Sequence, residues 1–308
     1  MQPAGGSPPL QEGLVVIVHG TRSAAGVTQA WDLVNQVRAL DPGRPLAAGF
    51  LEFAPPTVDE AIDGLVAAGC SALVAVPLVL LGAGHLKNDG PAALARARRR
   101  HPRARFRYAR ELGIHPLVLA VAEDRVRSCL SELPPGPSAV VLVSRGSTDP
   151  DANADLYKVA RLLADRPLQP GQGPGTGATG PASAPFPIFE PAFVSLARPS
   201  VPEALERCRR LGARRVSVVP YFLFTGLLVD RIATQARAWG RAHPGVQVAV
   251  GKEMAPDARL ARLVLERHAE AQAGGASMNC DCCVYRAPLP GYEDRVGAPI
   301  PHDHAHGG

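Results

Sequence analysis

The sequence predicts an α/β protein: two duplicated halves, each an open, doubly wound parallel sheet, followed by a Cys/His-rich tail. Three observations predict it. Continuous apolar runs alternate with helical patterns, as in βα units. The same series of signals occurs twice. The 308 residues suffice for two ordinary α/β domains.

The duplication is legible residue by residue. Phe50-Leu51-Glu52-Phe53-Ala54-Pro55-Pro56-Thr57-Val58 resembles Phe193-Val194-Ser195-Leu196-Ala197-Arg198-Pro199-Ser200-Val201, 143 positions later. At that offset Pro77 falls on Pro220. His101-Pro102 recurs as His243-Pro244, each before a strand-like segment. Leu14–Thr21 resembles Val140–Ser147 at the start of each half. A unit of this size is a domain, not a solenoid repeat.

In the first half, strands are expected at 14–18, 46–53, 72–80 and 104–109. Helices are expected at 24–39, 58–68, 91–100 and 115–131. The first three strands are nearly continuous apolar runs, as parallel strands covered on both faces should be. The fourth, Ala104-Arg105-Phe106-Arg107-Tyr108, alternates polar and apolar residues and is expected at a sheet edge. The second half repeats this, with strands at 139–143, 187–194, 215–222 and 246–250. Its helices are expected at 153–164, 201–211, 229–242 and 257–272. The boundary falls near Leu133-Pro134-Pro135-Gly136-Pro137, giving halves of 1–133 and 138–273 and a tail of 274–308. Residues 167–187 hold six Pro and five Gly. They lie between a helix and a strand of the second half and read as a flexible insertion there. The Gly-rich run inside them lacks a preceding strand, a following helix and a Lys-Ser/Thr pair, so it is not a phosphate loop.

Composition narrows the function. Hydrophobic residues make up 46% and charged residues 20%, so the chain can bury a core. No apolar run approaches the roughly 20 residues a bilayer core needs. The first residues do not read as a signal peptide, and the expectation is a cytoplasmic protein without a membrane partner. The net charge of +5 suits an acidic small molecule. Arg96–Arg110 holds eight Arg in fifteen residues. It reads as a solvated helix end and a half-wet strand, not as a nucleic-acid face. Cys70, Cys129 and Cys208 are scattered and read as reduced core residues. Cys280, Cys282 and Cys283 are clustered, which in a cytoplasmic chain suggests metal before disulfides.

Ligands in open α/β sheets bind beyond the carboxyl ends of the strands. The first strand ends in His19, Glu52 lies near the end of the second, and the third runs into Gly84-His85. With strand order 2-1-3-4 these three strands are neighbours, roughly 4.8 Å apart. Two His and one Glu then converge on one crevice. Neutral imidazole binds a divalent metal and accepts a proton near pH 7. A carboxylate can orient an imidazole or neutralise the metal. Against this stands the ordinary reading of a loop His and a half-buried pairing Glu. Asp89 is expected to cap the next helix, and His115 to start one. His19, Glu52 and His85 align with Arg145, Ser195 and Leu228, so the duplicate lacks the whole set. It would supply the opposite wall, with Arg145 for a carboxylate and Tyr221, Phe222 and Phe224 as lining.

These residues carry a resemblance. Val18-His19-Gly20-Thr21-Arg22, Phe50-Leu51-Glu52 with the prolines after it, and Val76-Pro77-Leu78 leading to Gly84-His85 resemble the class II chelatases of tetrapyrrole biosynthesis. The tail Met278-Asn279-Cys280-Asp281-Cys282-Cys283 is similar to the M-x-C-x-x-C element of their long form, the sirohydrochlorin cobaltochelatases of the cobalamin pathway. The resemblance covers nearly the whole chain. It implies flavodoxin-like halves and metal insertion, without ATP, into a carboxylate-rich macrocycle held in the cleft between them. It implies His19 and His85 as metal ligands and proton acceptors, Glu52 as an acidic helper, and Arg22 as a substrate contact. It implies a sirohydrochlorin-type substrate and cobalt as the metal inserted, with iron and nickel open. For the tail it implies an iron–sulfur cluster, whose fourth ligand would come from elsewhere or from another chain, making a homo-oligomer. Two further tail readings stay open: metal in transit on His302, His304 and His306, or no metal role. An iron chelatase for sirohaem and a nickel- or cobalt-storage protein are the competing functions.

Overall fold

A computed structural model describes residues 11–166 and 188–276, and of His85 the backbone. The insertion 167–187 and the tail residues Cys280, Cys282, Cys283, His302, His304 and His306 lie outside the described residues. The first half runs β1 (Glu12–Val18), α1 (Ala24–Leu40), β2 (Leu46–Phe50), α2 (Val58–Ala67), β3 (Ala72–Pro77), a π turn (His85–Asp89), α3 (Gly90–Arg100), β4 (Arg105–Tyr108) and α4 (Pro116–Ser131). The second runs β5 (Ser138–Ser144), α5 (Pro150–Ala164), β6 (Ile188–Phe193), α6 (Val201–Arg210), β7 (Arg215–Pro220), α7 (Leu227–Ala242), β8 (Gln247–Val250) and α8 (Ala258–Gln272).

Each half is a parallel four-stranded sheet, ordered β2-β1-β3-β4 and β6-β5-β7-β8. The expected order and the edge position of the fourth strands are therefore observed. The period-2 alternation of a strand sorts β1 between two cores. Val15 and Ile17 pack with Val58, Ile62, Ala93 and Leu94 of α2 and α3. Leu14, Val16 and Val18 face the other way, into a core shared by both halves. That core also takes Leu33 and Val34 of α1, Val118 and Val126 of α4, Leu156 and Val159 of α5, and Leu260 and Val264 of α8. The far face of the second sheet is covered by α6 and α7.

The last helix of each half crosses over. α4 packs on β7 and β8, and α8 packs on α1, β3 and β4. Polar anchors fix both exchanges. Arg125 of α4 donates to the carbonyls of Glu253 and Met254, at 2.7 and 3.0 Å. Buried Arg267 of α8 donates to the carbonyl of Leu112 at 2.7 Å. His268, also on α8, is buried with Nε2 3.3 Å from Nη1 of Arg44 and 3.1 Å from Glu12 Oε1.

The halves also touch through two pseudo-equivalent loops. The first turn of α1 lies against Thr225 and Gly226, where a Cβ on Gly26 would overlap the Thr225 carbonyl. Gln29 Oε1 accepts from the Thr225 N–H at 2.7 Å. The first turn of α5 meets the π turn of the first half instead. There Lys87 Nζ reaches Asp149 Oδ2 at 2.8 Å and Asp151 Oδ2 at 3.2 Å, with all three side chains no more than 6% exposed. Burial opposes the Lys87 charge, but the hydrogen bonds and charges of Asp149 and Asp151 outweigh it and raise the lysine's pKa.

Several element ends depart from expectation. β2 stops at Phe50 and β3 at Pro77, so Glu52 lies in a turn and not in the strand. α5 starts at Pro150, three residues early, because Asp149 accepts the Asp151 N–H and Pro150 fits the first helical position. Asp89 makes no capping hydrogen bond, since its backbone is already helical and the π turn runs straight into α3. His115 caps α4 as expected, with Nδ1 accepting from the Leu117 N–H at 3.3 Å. The arginine stretch is a solvated face: Arg96 and Arg100 pair with Asp59 and Asp63 of α2. Cys70, Cys129 and Cys208 are free and buried.

Two predictions follow from the contacts between halves. Lys87→Met should destabilise the chain by about 3–5 kcal/mol in urea unfolding, because it removes the buried cation that pairs with two buried carboxylates; a change under 1 kcal/mol would mean that water reaches the pair. His268 should set an acid limb. Burial, with the Arg44 charge, pushes its pKa down from 6.5 to about 4. The unfolded chain then binds the extra proton, so stability falls as pH drops from about 6.5 to about 4, by up to about 3 kcal/mol. His268→Leu should flatten that limb, and an unchanged slope would acquit the histidine.

Candidate functional site

The three strands whose ends matter are level with one another. Val18 pairs with Phe50 and Ile17 with Pro77. His19 follows the last residue of β1, and its Nδ1 lies 3.1 Å from the Gly20 carbonyl. The next residue decides where Glu52 goes. Gly20 has φ +100, and a Cβ there would overlap the Glu52 carbonyl oxygen. Only glycine permits both the left-handed backbone and the close approach. The Glu52 N–H then donates to the His19 carbonyl at 3.0 Å, and the Ala54 N–H to the Glu52 carbonyl at 2.9 Å. His19 and Glu52 are thus joined by backbone, without relying on side-chain packing.

Phe53, next to Glu52, has φ +65 and is 45% exposed. The Arg22 guanidinium stands over that ring, 4.9 Å from its centroid. Thr21 Oγ1 accepts from the Ser23 N–H, and Ser23 in turn caps α1 through the Gly26 N–H. The loop His19–Ser23 is thereby held at both ends.

His85 is placed by its backbone as the first residue of the π turn, eight positions after β3 ends. Two anchors hold this turn. Tyr108, at the end of β4, donates its hydroxyl to the Leu86 carbonyl at 3.0 Å. A Cβ on Gly90 would overlap that same hydroxyl. Burial first, then the Glu111 and Asp89 charges, pushes the Tyr108 pKa well up, so the phenol remains a donor. The second anchor is the Lys87 pair with Asp149 and Asp151. Glu111, beyond β4, is also buried here; one oxygen meets Arg110 at 3.3 Å, and Oε2 has no hydrogen-bond partner among the described residues. Among the described side chains, which exclude that of His85, no three His, Cys, Asp or Glu converge to hold a metal ion.

The duplicate half keeps the hydrogen bond between the two loops and the left-handed glycine, and changes the chemistry. Gly146 again has φ +84 beside Ala197, and the Ser195 N–H donates to the Arg145 carbonyl at 3.0 Å. Arg145 stands exposed where the first half has His19. Tyr221, expected to line the cleft, is instead buried in the shared core, while Phe222 and Phe224 are half-buried. A groove of about 570 Å³ lies elsewhere, between α5 and β6. Its charged lining residues among those described, Arg161 and Asp165, pair with each other at 2.6 Å.

Lys87, Asp149, Asp151, Tyr108, Phe53 and Glu111 escape sequence reasoning. Only Asp149-Pro150 carries a local signal, that of a helix start. Among the described residues no helix is long and apolar enough to cross a membrane.

Comparison with known proteins bears on the family and the fold. The CbiX family model matches residues 13–129 and 139–271, one copy per half. The chain is 32% identical over 275 residues to the sirohydrochlorin cobaltochelatase of Priestia megaterium, covering 89% of this chain and 84% of that one. It is 28% identical over 221 residues to the sirohydrochlorin ferrochelatase of the same organism, covering 72% and 76%. In three dimensions it is similar to SirB from Bacillus subtilis, solved with Fe3+: TM-score 0.69, 25% identity, 86% of this chain and 97% of that one. With both halves matched and these relatives aligned over most of its length, the chain belongs to the CbiX family.

Proposed function

We propose that the chain inserts a divalent metal, cobalt foremost, into sirohydrochlorin in the cobalamin pathway, using a crevice built on the first half. The observation that carries the reading is the Gly20 contact. It joins His19 to Glu52 on adjacent strand ends, with the His85 turn on the next strand, and the duplicate keeps the hydrogen bond between these two positions but not the side chains.

Insertion requires two pyrrole N–H protons to leave while the ion passes from protein ligands to ring nitrogens. His19 and His85 hold the incoming ion and, as neutral imidazoles, take up protons. Glu52 balances the ion's charge and receives a proton at its carboxylate. Arg22 and Arg145 bind substrate carboxylates, one from each half. The affinity of the macrocycle for metal drives the step, and no ATP is consumed. The relative with the higher identity and coverage is a cobaltochelatase, which supports cobalt over iron. An iron chelatase for sirohaem is the alternative, and it differs only in the ion that gives turnover. A nickel- or cobalt-storage protein would bind metal without changing the spectrum of sirohydrochlorin.

The tail reading belongs to the same proposal. Cys280, Cys282 and Cys283 supply three thiolates of a cluster. The other thiols are poor fourth ligands: burial raises the Cys70 pKa and pushes Cys129 up to about 11 and Cys208 up to about 12. The fourth ligand therefore comes from another residue type or a second chain. His302, His304 and His306 hold metal in transit in the competing version.

Anaerobic assays with sirohydrochlorin and Co2+, Fe2+ or Ni2+ test the reading by absorbance. Cobalt should give the fastest insertion, and faster turnover with iron would reassign the metal. His19→Ala and His85→Ala should each lower the rate by roughly a hundredfold or more with the fold intact, and Glu52→Gln by less. Near-native turnover in either histidine variant would remove that residue from the mechanism. A chain ending at Gly274 should still insert supplied metal but lose iron and sulfide found in the full chain. Absence of both from the full chain, purified anaerobically, would end the cluster reading.

A further inference from the structure

Phe53 is the one non-glycine residue among those described that has a left-handed backbone. That conformation is costly for a residue with a Cβ, and more so for a bulky one. Such strain persists where the surroundings impose it, and it collects at binding sites. Here the residue gains little for the fold, because nearly half of its surface is exposed.

The duplicate half shows that the turn itself does not demand this backbone. Leu196 occupies the matching position and is 46% exposed. Its turn closes with the same two hydrogen bonds, from Ser195 N–H to Arg145 and from Ala197 N–H to Ser195. Yet Leu196 is not among the residues of positive φ. The strained residue thus occurs in the half that carries His19 and Glu52, directly after Glu52. Arg22, three residues after His19, stands over the ring in a cation–π contact at 4.9 Å.

We infer that Phe53 and Arg22 form a preset stacking surface for the tetrapyrrole, the ring taking one face of the macrocycle and Arg22 one of its carboxylates. This rests on the function proposed above. A flat conjugated macrocycle presents what an exposed aromatic face binds best, an offset-stacked partner. Its carboxylates present what a guanidinium binds best, a two-oxygen acceptor. In the free chain the two groups cover each other. On binding, the macrocycle takes the place of Arg22 over the ring, and Arg22 turns to a carboxylate at the rim. The left-handed backbone aims the ring before the substrate arrives, which reduces the ordering cost of binding.

The strain makes the test clean, because glycine accepts φ +65 and a Phe53→Gly chain should keep or raise its Tm. Anaerobic titration of the full-length chain with sirohydrochlorin, in metal-free buffer with a chelator, reads binding through quenching of the macrocycle's fluorescence. Phe53→Gly should weaken binding about tenfold and raise KM with kcat little changed. Phe53→Tyr should bind as the native chain does. Arg22→Gln should weaken binding and lessen its dependence on salt. Binding of Phe53→Gly within twofold of native overturns the inference, and so does a large fall in its Tm, which would make the ring a structural anchor. If the native chain itself does not bind sirohydrochlorin, the proposed function fails first, whatever the variants do.

Discussion

A parallel sheet must be covered on both faces, and neither sheet of this chain is covered by its own half alone. β3 and β4 are roofed by α8 from the second half, and β7 and β8 by α4 from the first. The result is one apolar layer between the sheets, to which both halves contribute. The rest of the architecture depends on this exchange. It sets how far apart the strand ends of the two halves stand, and therefore the width of any cleft between them. Hinged domains keep separate cores and move against each other by default. Two halves with a shared core do not.

Within that frame, duplication has left matching backbones with different duties. The α1 turn meets the second half through Gly26, which approaches the Thr225 carbonyl so closely that no side chain fits. The α5 turn meets the first half through Lys87, Asp149 and Asp151, a buried charge cluster. One contact is steric and the other electrostatic, yet they are pseudo-symmetric. The electrostatic one falls two residues after His85. A buried ion pair is weak evidence for stability, but its directionality fixes geometry, which apolar packing does loosely. The turn bearing His85 is thus tied to the opposite half, while His19 and Glu52 are tied to each other.

Much of this was legible in the sequence, for physical reasons. Apolar runs of strand length announce parallel strands, and the repeat of Phe50–Val58 at Phe193–Val201 announces two sheets of one topology. Strand order followed from the commonest arrangement, and it places His19, Glu52 and the His85 turn after the ends of neighbouring strands. What stayed hidden depends on contacts distant in sequence. The helix exchange leaves no mark, since α4 and α8 are amphipathic whichever sheet they cover. Lys87 reads as an ordinary surface lysine until Asp149 and Asp151 are brought to it from the second half. The strand-like pattern of Leu51-Glu52-Phe53 masks a turn, because the Gly20 contact that ends β2 lies thirty residues away. Asp89 before Gly90-Pro91 looks like a cap. A π turn that enters the helix without a break leaves it nothing to cap.

The exchange of α4 and α8 also bears on how the chain is made. β1, β3 and β4 emerge early from the ribosome, but the helix that roofs β3 and β4 is the last described element of the chain. Until α8 arrives, Leu14, Val16 and Val74 have an incomplete cover. Folding half by half, the usual order for a duplicated protein, is therefore interrupted. The contacts that close the first sheet are among the most distant in sequence, and such contacts form slowly. A nascent first half must wait with an apolar sheet face open, which makes synthesis rather than the finished molecule the stage most exposed to aggregation.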